Sequence, residues 1–323
     1  MKNSQEVEQF EDCSIPVSMP EFPKFKKLGL EDKKFIESFT KNHKPYSDYN
    51  FTNMWSWDTM DNRMISQLNG NLVVIFTDYR NQSPFVSFLG NYKNKETAQQ
   101  LIKFAKESNL PTTLHFISEE TATNLNTDTL FLVEEDENNF DYIFSVSDLA
   151  NLEGNKLKKK RSLTRRFLRD YPDAYIELRD LSNVDIHREL NELINCWEKN
   201  KKSNNKTYEV KNEEIAINRM LNTSKSHNLI LSCAYVKKQM VGFSIDEILP
   251  NDYAISHFIK GDINFRGVYE FINEKVSKYL EEEGVLLWNW EQDLNIDGLK
   301  KLKTSYRPIN FLKKYKVSLK YSV

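Results

Sequence analysis

The sequence predicts an α+β protein built from two consecutive units with mixed, mostly antiparallel sheets. Three observations predict it: alternating apolar runs separated by turn residues, helical-period segments between those runs, and a similar order of elements on either side of a basic stretch in mid-chain. A chain of 323 residues suffices for two hydrophobic cores at roughly 100–200 residues per domain. The expected organisation is an N-terminal arm at 1–20, a first unit at 21–150, a basic connecting segment at 151–174 and a second unit at 175–323.

The arm is polar and contains Pro16 and Pro20. Leu30 to Asn42 reads as a helix, with Phe35, Ile36 and Phe39 on one face. Pro45 ends it and opens an aromatic-rich segment, Lys44 to Asp58. Strands are expected at Met64–Gln67, Leu72–Tyr79 and Phe85–Leu89, joined at Asn69-Gly70-Asn71 and across Arg80 to Pro84. A helix at Lys95–Ser108, a strand at Thr112–Ile117, a short helix after Ser118 and strands near Thr129–Val133 and Asp141–Ser145 complete the first unit. The second unit starts with a strand at Tyr175–Arg179 and helices at Val184–Lys199 and Glu213–Leu221. Strands follow at Leu229–Val236, Met240–Ile248 and Tyr253–Ile259. The helix Gly267–Glu282 is expected to bury Val268, Ile272, Val276, Tyr279 and Leu280, and Gly284 is its expected C-cap. A buried strand Val285–Trp290, a helix Ile296–Lys303 and closing strands over Ile309–Leu319 end the chain.

Composition excludes several classes of chemistry. The nine glycines stand singly, so neither GxGxxG nor GxxxxGK[ST] occurs. Three cysteines form no CxxC pair, and five histidines show no HExxH or HxxxH spacing. No metal site and no resident cofactor is expected, and no GxSxG elbow is present. No apolar run approaches the ~20 residues that span a bilayer, and the acidic start does not resemble a secretory signal, so a cytoplasmic location is expected. The net charge of −2 conceals an acidic first half and a basic second half. Between Lys156 and Arg169, 8 of 14 residues are basic and none is acidic. Such a run is a solvated face or linker, or else a docked helix offering Lys158, Lys159, Lys160, Arg161, Arg165 and Arg166 to a phosphate-rich donor such as tRNA or coenzyme A.

The order of elements in the second unit resembles the connectivity of the GNAT (acyl-CoA N-acyltransferase) fold, and the first unit follows it less closely. That resemblance implies two tandem GNAT-like domains and a central strand pair that splays apart. The segment Val285 to Pro308 carries most of the expected chemistry. Alternation places Asn289 and Glu291 on one strand face and Trp288 and Trp290, taken as core, on the other. Glu291 and Asp293 are candidates to orient an amine or act as base, and Tyr306 to protonate a leaving group. Backbone amides at the splayed strand are candidate oxyanion donors. Lys300, Lys301, Lys303 and Arg307 form a candidate cluster for phosphate or carboxylate, or an ordinary exposed face, and Asn289 and Ser305 are further donor-binding candidates. At the strand-to-helix junction Lys260 to Tyr269, where GNAT enzymes carry the coenzyme A signature [RQ]xxGx[GA], only Arg266-Gly267 matches it, and Lys260 and Arg266 are candidates to hold phosphate. Val268 and Tyr269 depart from that signature. Tyr49 and Asn50, near Trp55 and Trp57, either line a cleft or pack between domains. His257, among apolar neighbours, reads as a satisfied core histidine.

Taken together, Leu30-Glu31-Asp32-Lys33, PYSDYNFTNMWSW, KKKRSLTRRF, Arg266-Gly267-Val268-Tyr269 and NWEQDLNIDGLKKLKTSYRP resemble an uncharacterised bacterial domain family related to the C-terminal domain of phosphatidylglycerol lysyltransferases. The resemblance spans most of Phe22 to Tyr321. It implies an acyltransferase that moves an aminoacyl group from aminoacyl-tRNA to an amine or hydroxyl, on a lipid headgroup or a peptide-like acceptor. The alternatives are an acetyl-CoA-dependent N-acetyltransferase and a catalytically inert tandem GNAT-like protein that binds a metabolite or RNA.

Overall fold

The computed structural model describes residues 18–79, 83–204 and 211–320. Most of the expected arm, and most of the turn across Arg80 to Pro84, lie outside the described residues. In chain order the first elements are β1 (Lys26–Lys27), α1 (Lys33–Thr40), α2 (Phe51–Ser56), β2 (Met64–Leu68), β3 (Asn71–Thr77) and β4 (Pro84–Leu89). Then come α3 (Asn94–Glu107), β5 (Leu114–Ser118), α4 (Glu119–Asn126), β6 (Phe131–Glu135) and β7 (Asp141–Ser145). Two helices, α5 (Val146–Asn151) and α6 (Lys158–Asp170), lead to β8 (Tyr175–Arg179), α7 (Val184–Asn204) and α8 (Lys211–Asn222). The rest is β9 (Leu229–Val236), β10 (Gln239–Leu249), β11 (Tyr253–Gly261), α9 (Val268–Glu282), β12 (Leu287–Asn289), α10 (Asp297–Ser305), β13 (Asn310–Leu312) and β14 (Lys314–Leu319).

The expected α+β class with mostly antiparallel sheets is what the chain adopts, and the GNAT-like order recurs in tandem. In each half three consecutive antiparallel strands are followed by a helix, a strand, a helix and another strand: β2-β3-β4-α3-β5-α4-β6 and β9-β10-β11-α9-β12-α10-β13. The halves then exchange strands. β7 inserts between β12 and β13 in a seven-stranded sheet ordered β13-β7-β12-β11-β10-β9-β8, and β14 inserts between β5 and β6. The only parallel pairing within the named strands described is β11 with β12.

Local chemistry explains most boundaries. Asn50 caps α2 by accepting from Asn53 N at 3.0 Å. The short helix α5, absent from the sequence reading, is started by Ser145, whose hydroxyl accepts from Asp148 N at 3.1 Å. Six residues carry too little periodicity to reveal a helix. The basic segment forms α6, which docks on α9 through Thr164 and Phe167; the Phe167 ring stacks on Phe271 with centroids 4.7 Å apart. Gly267 precedes α9 at φ 97°, and a Cβ there would stand 2.7 Å from the Leu163 carbonyl oxygen of α6. Glycine is therefore required by both the backbone angle and the approach of the two helices.

Candidate active site in the strand splay

β11 and β12 run together only over Tyr253–Ile255 against Leu287–Asn289. Beyond that point the chain leaves β11: Trp290 N donates to Tyr142 O of β7 at 2.9 Å, and Glu291 takes φ 58°. The departure is held in place by side chains. Asn289 Oδ1 accepts from Glu291 N at 2.7 Å, and Asp293 Oδ1 accepts from Asn295 N at 2.8 Å. Lys303 reaches back from α10 to the carbonyls of Trp290, Glu291 (3.2 Å) and Gln292 (2.6 Å), so all three of its N–H donors hold this segment. Burial pushes the Lys303 ammonium down to about 8, against the attraction of Glu291, Asp141 and Asp293.

A cavity of about 1120 Å³ fills the splay. Its walls are Ser256–Lys260 of β11, Asn53 and Trp57 from the α2 region, Tyr269 and Asn273 of α9, Trp290–Gln292, and the start of α10. Glu291 faces it: Asn53 Nδ2 donates to its Oε1 at 2.7 Å, and His257 Nδ1, hydrogen-bonded to Asn53 Oδ1 at 3.0 Å, lies 3.5 Å from the same carboxylate oxygen. On the other side of the imidazole, Nε2 lies 3.3 Å from Glu247 Oε2, which also accepts from Asn50 Nδ2 at 2.9 Å. Burial alone would strip the His257 proton, but the two flanking carboxylates prevail and hold its pKa up at about 9. Glu247 is correspondingly lowered, its burial outweighed by the imidazolium. The result is a row of Glu247, the His257 imidazolium and Glu291, with Glu291 at the cavity end.

Behind this row lies a second buried network. Lys314 pairs with Asp48 and, at 2.7 Å, with Asp141 Oδ1; Ser47 Oγ and Gln292 Oε1 complete its surroundings. Burial opposes its charge, but Asp141 and Asp48 more than compensate and raise it to about 12. Asn289 joins the network through Nδ2, donating to Pro45 O at 2.9 Å and Asp141 Oδ2 at 3.2 Å.

The residues singled out in the sequence fall into distinct places. Glu291, Lys260 and Lys303 line the cavity. Lys260 is paired with Glu213 and stands 4.2 Å above the Trp197 ring. Asp293 is buried beside it, accepting from Tyr142 OH at 2.6 Å. Tyr306 is buried behind Trp290, their ring centroids 4.9 Å apart, with Lys160 Nζ 3.6 Å from its own ring centre. Tyr49 is a core residue bonded to Ser87 Oγ at 2.6 Å, and Asn50 contacts the row from behind through Glu247. Arg266, Ser305 and Arg307 are exposed and outside the cavity lining, as are Lys158, Lys159, Arg165 and Arg166 on the outer face of α6. Lys160 instead pairs with Glu270 at 3.3 Å, and Arg161 caps the Leu152 and Gly154 carbonyls. The Trp290 and Glu291 amides already donate, to Tyr142 O and Asn289 Oδ1, so they are not spare oxyanion donors. His257, Asn53 and Glu247 were not singled out as site residues. His257 is a buried, satisfied histidine, as read, yet it also lines the cavity.

A parallel strand pair that parts at mid-sheet over a cavity, in a chain whose element order repeats, defines a tandem GNAT-like fold. The sequence matches the family described as phosphatidylglycerol lysyltransferase, C-terminal, over residues 40–318, and the chain belongs to that family. Among solved structures it is similar to a conserved protein of unknown function from Bacteroides thetaiotaomicron, at 26% identity and TM-score 0.79, covering 94% of this chain and 100% of that one. The C-terminal domain of a putative lysylphosphatidylglycerol synthetase from Agrobacterium fabrum shares the fold at 14% identity and TM-score 0.63, over 90% and 92% of the two chains. So does L-PGS from Bacillus licheniformis, at 13% identity and TM-score 0.60, over 90% and 93%. No curated protein matches in sequence. Among the described residues no helix is long and apolar enough to cross a membrane.

Proposed function

We propose that this protein transfers an aminoacyl group from aminoacyl-tRNA to an amine or hydroxyl acceptor on a lipid headgroup or a peptide-like molecule. The observation that carries the reading is Glu291 at the edge of an open splay, aimed by Asn53 and His257 at a cavity of about 1120 Å³. The acceptor attacks the ester carbonyl of the donor and passes its proton to Glu291; a C–N or C–O bond forms and the ribose C–O ester bond breaks. The departing ribose oxygen regains a proton from the Glu291–His257 pair, whose imidazolium is ionised at neutral pH. Exposed Lys158, Lys159, Arg165 and Arg166 supply a positive face for the phosphates of tRNA. Family membership supports the same reading.

A coenzyme A donor is less well served. Its pyrophosphate would seek the start of α9, where Gly267 lies against the α6 backbone and Val268 is buried. The test is transfer of a radiolabelled aminoacyl group from aminoacyl-tRNA, run beside labelled acetyl-CoA, with wild-type protein and Glu291→Gln. Label leaving aminoacyl-tRNA with wild type, and slowed by about 10²–10⁴-fold in the variant, is the expected outcome. Transfer only from acetyl-CoA, or an unaffected variant, would reject the proposal.

A further inference from the structure

Where β12 departs, β11 keeps a strand partner on one side only. Its pairing with β12 ends at Ile255 opposite Asn289, whereas its pairing with β10 runs on to Gly261 opposite Gly242. Register decides which backbone groups the open side carries, because in an antiparallel pair residues that exchange bonds alternate with residues whose N–H and C=O turn away. Asp262 N donates to Val241 O at 2.9 Å, one step beyond the Gly261–Gly242 pair. By alternation, Lys260–Phe243 and Phe258–Ile245 are bonded pairs, and Gly261 and Ile259 turn their N–H and C=O away from β10. Tyr269 OH, which donates to Gly261 O at 3.2 Å from outside the ladder, has the direction this requires. Ile259 thus aims one donor and one acceptor into the splay; it is half-buried and lines the cavity. Among the described residues no hydrogen bond from outside the ladder reaches either group.

A strand edge of this kind selects its occupant. A donor and an acceptor on one residue are met together by an extended amide chain, which carries both at the same spacing. A phosphate brings acceptors only and would face the Ile259 carbonyl oxygen, and an alkyl chain would leave both groups unpaired. The pantetheine arm of coenzyme A also carries amides, but its pyrophosphate would have to sit where Gly267 lies against the α6 backbone. A β-bulge sets what lies beside the open edge: Ile245 pairs with Phe258 and Asp246 with Ser256, which leaves His257 as the extra residue of β11. A chain paired at Ile259 therefore reaches His257 about 7 Å back along the strand, and with it Glu291.

We infer that the open edge of β11 at Ile259 pairs with an extended peptide backbone, so that the acceptor is a peptide whose amine comes to Glu291. This rests on the aminoacyl-transfer reading and specifies its acceptor class. The test is a binding measurement that requires no turnover. Trialanine amide, its two analogues with one internal amide replaced by an ester, glycerol 1-phosphate and coenzyme A are titrated to millimolar concentration into ¹⁵N-isoleucine-labelled protein, Ile259→Leu assigning the resonance of interest. Trialanine amide is expected to move the Ile259 amide resonance and to bind about tenfold more tightly than at least one ester analogue, which lacks an N–H donor to the edge. Equal binding of the three alanine compounds, tighter binding of glycerol 1-phosphate or coenzyme A than of trialanine amide, or no movement of the Ile259 resonance overturns the inference. Absence of transfer from aminoacyl-tRNA with peptide pairing at Ile259 intact would instead reject the functional reading while leaving the edge site standing.

Discussion

His257 sits between two carboxylates with both ring nitrogens engaged, and its proton has a measurable consequence for stability. Its folded pKa of about 9 lies above the unfolded value of 6.5. The stabilisation it gives is therefore fully present below about pH 6.5 and is lost as pH rises through about 9. Converted by linkage the effect is on the order of 3 kcal/mol. Urea unfolding of the wild type should lose stability across that window, and the difference between wild type and His257→Gln should shrink as pH rises. A difference independent of pH would show that the imidazole is neutral in the fold. Glu291 shows a related economy of design at the same scale. Its left-handed backbone angle is uncommon for a residue with a side chain. The Asn289 side chain and the Lys303 ammonium hold it there, turning a strand residue towards the cavity.

At the scale of elements, α6 divides its charge between two tasks. Lys160 and Arg161 hold the helix to the body of the protein, through Glu270, the Tyr306 ring and the Leu152 carbonyl. Lys158, Lys159, Arg165 and Arg166 face outward. Reversing those four charges to Glu should leave the thermal unfolding temperature within a few degrees, since exposed pairs such as Arg166–Asp170 contribute about 0–1 kcal/mol. The same variant should weaken aminoacyl-tRNA binding by about tenfold or more and flatten its salt dependence, because fewer counterions are released. Undiminished binding in a filter assay would place the tRNA on another face. Anchoring and display are separable here because residues 160, 164 and 167 share one helical stripe, while 158, 165 and 166 lie off it.

Over the whole molecule, the exchanged strands are joined by a buried charge cluster. Lys314 opens β14, which belongs to the sheet of β5 and β6, and its partner Asp141 opens β7, which belongs to the sheet of β12. Lys314→Met strands two buried carboxylates, Asp48 and Asp141, and should cost about 3–5 kcal/mol. Lys314→Met combined with Asp48→Asn and Asp141→Asn should recover much of that loss in urea unfolding. A single variant as stable as wild type would show that the cluster is already neutral in the fold.

Most of the element order was readable because helix and strand periods, turn residues and caps act over a few positions. Examples are the Gly267 start of α9 and the Asn69-Gly70 turn. Glu291 could be singled out for the same reason: it stands in a local tryptophan-flanked run. The short helix α5 escaped notice, having little period to show. What only the tertiary structure decided was which distant residues meet. Asn53, Glu247, His257 and Glu291 are brought from α2, β10, β11 and the segment after β12, and Asp141 finds Lys314 173 positions later. No spacing rule reports such encounters, because a side chain's partner across a fold is set by sheet order and strand exchange. The sequence by itself determined the parts and their order through short-range chemistry; folding alone decided the open seam and the charged row along it.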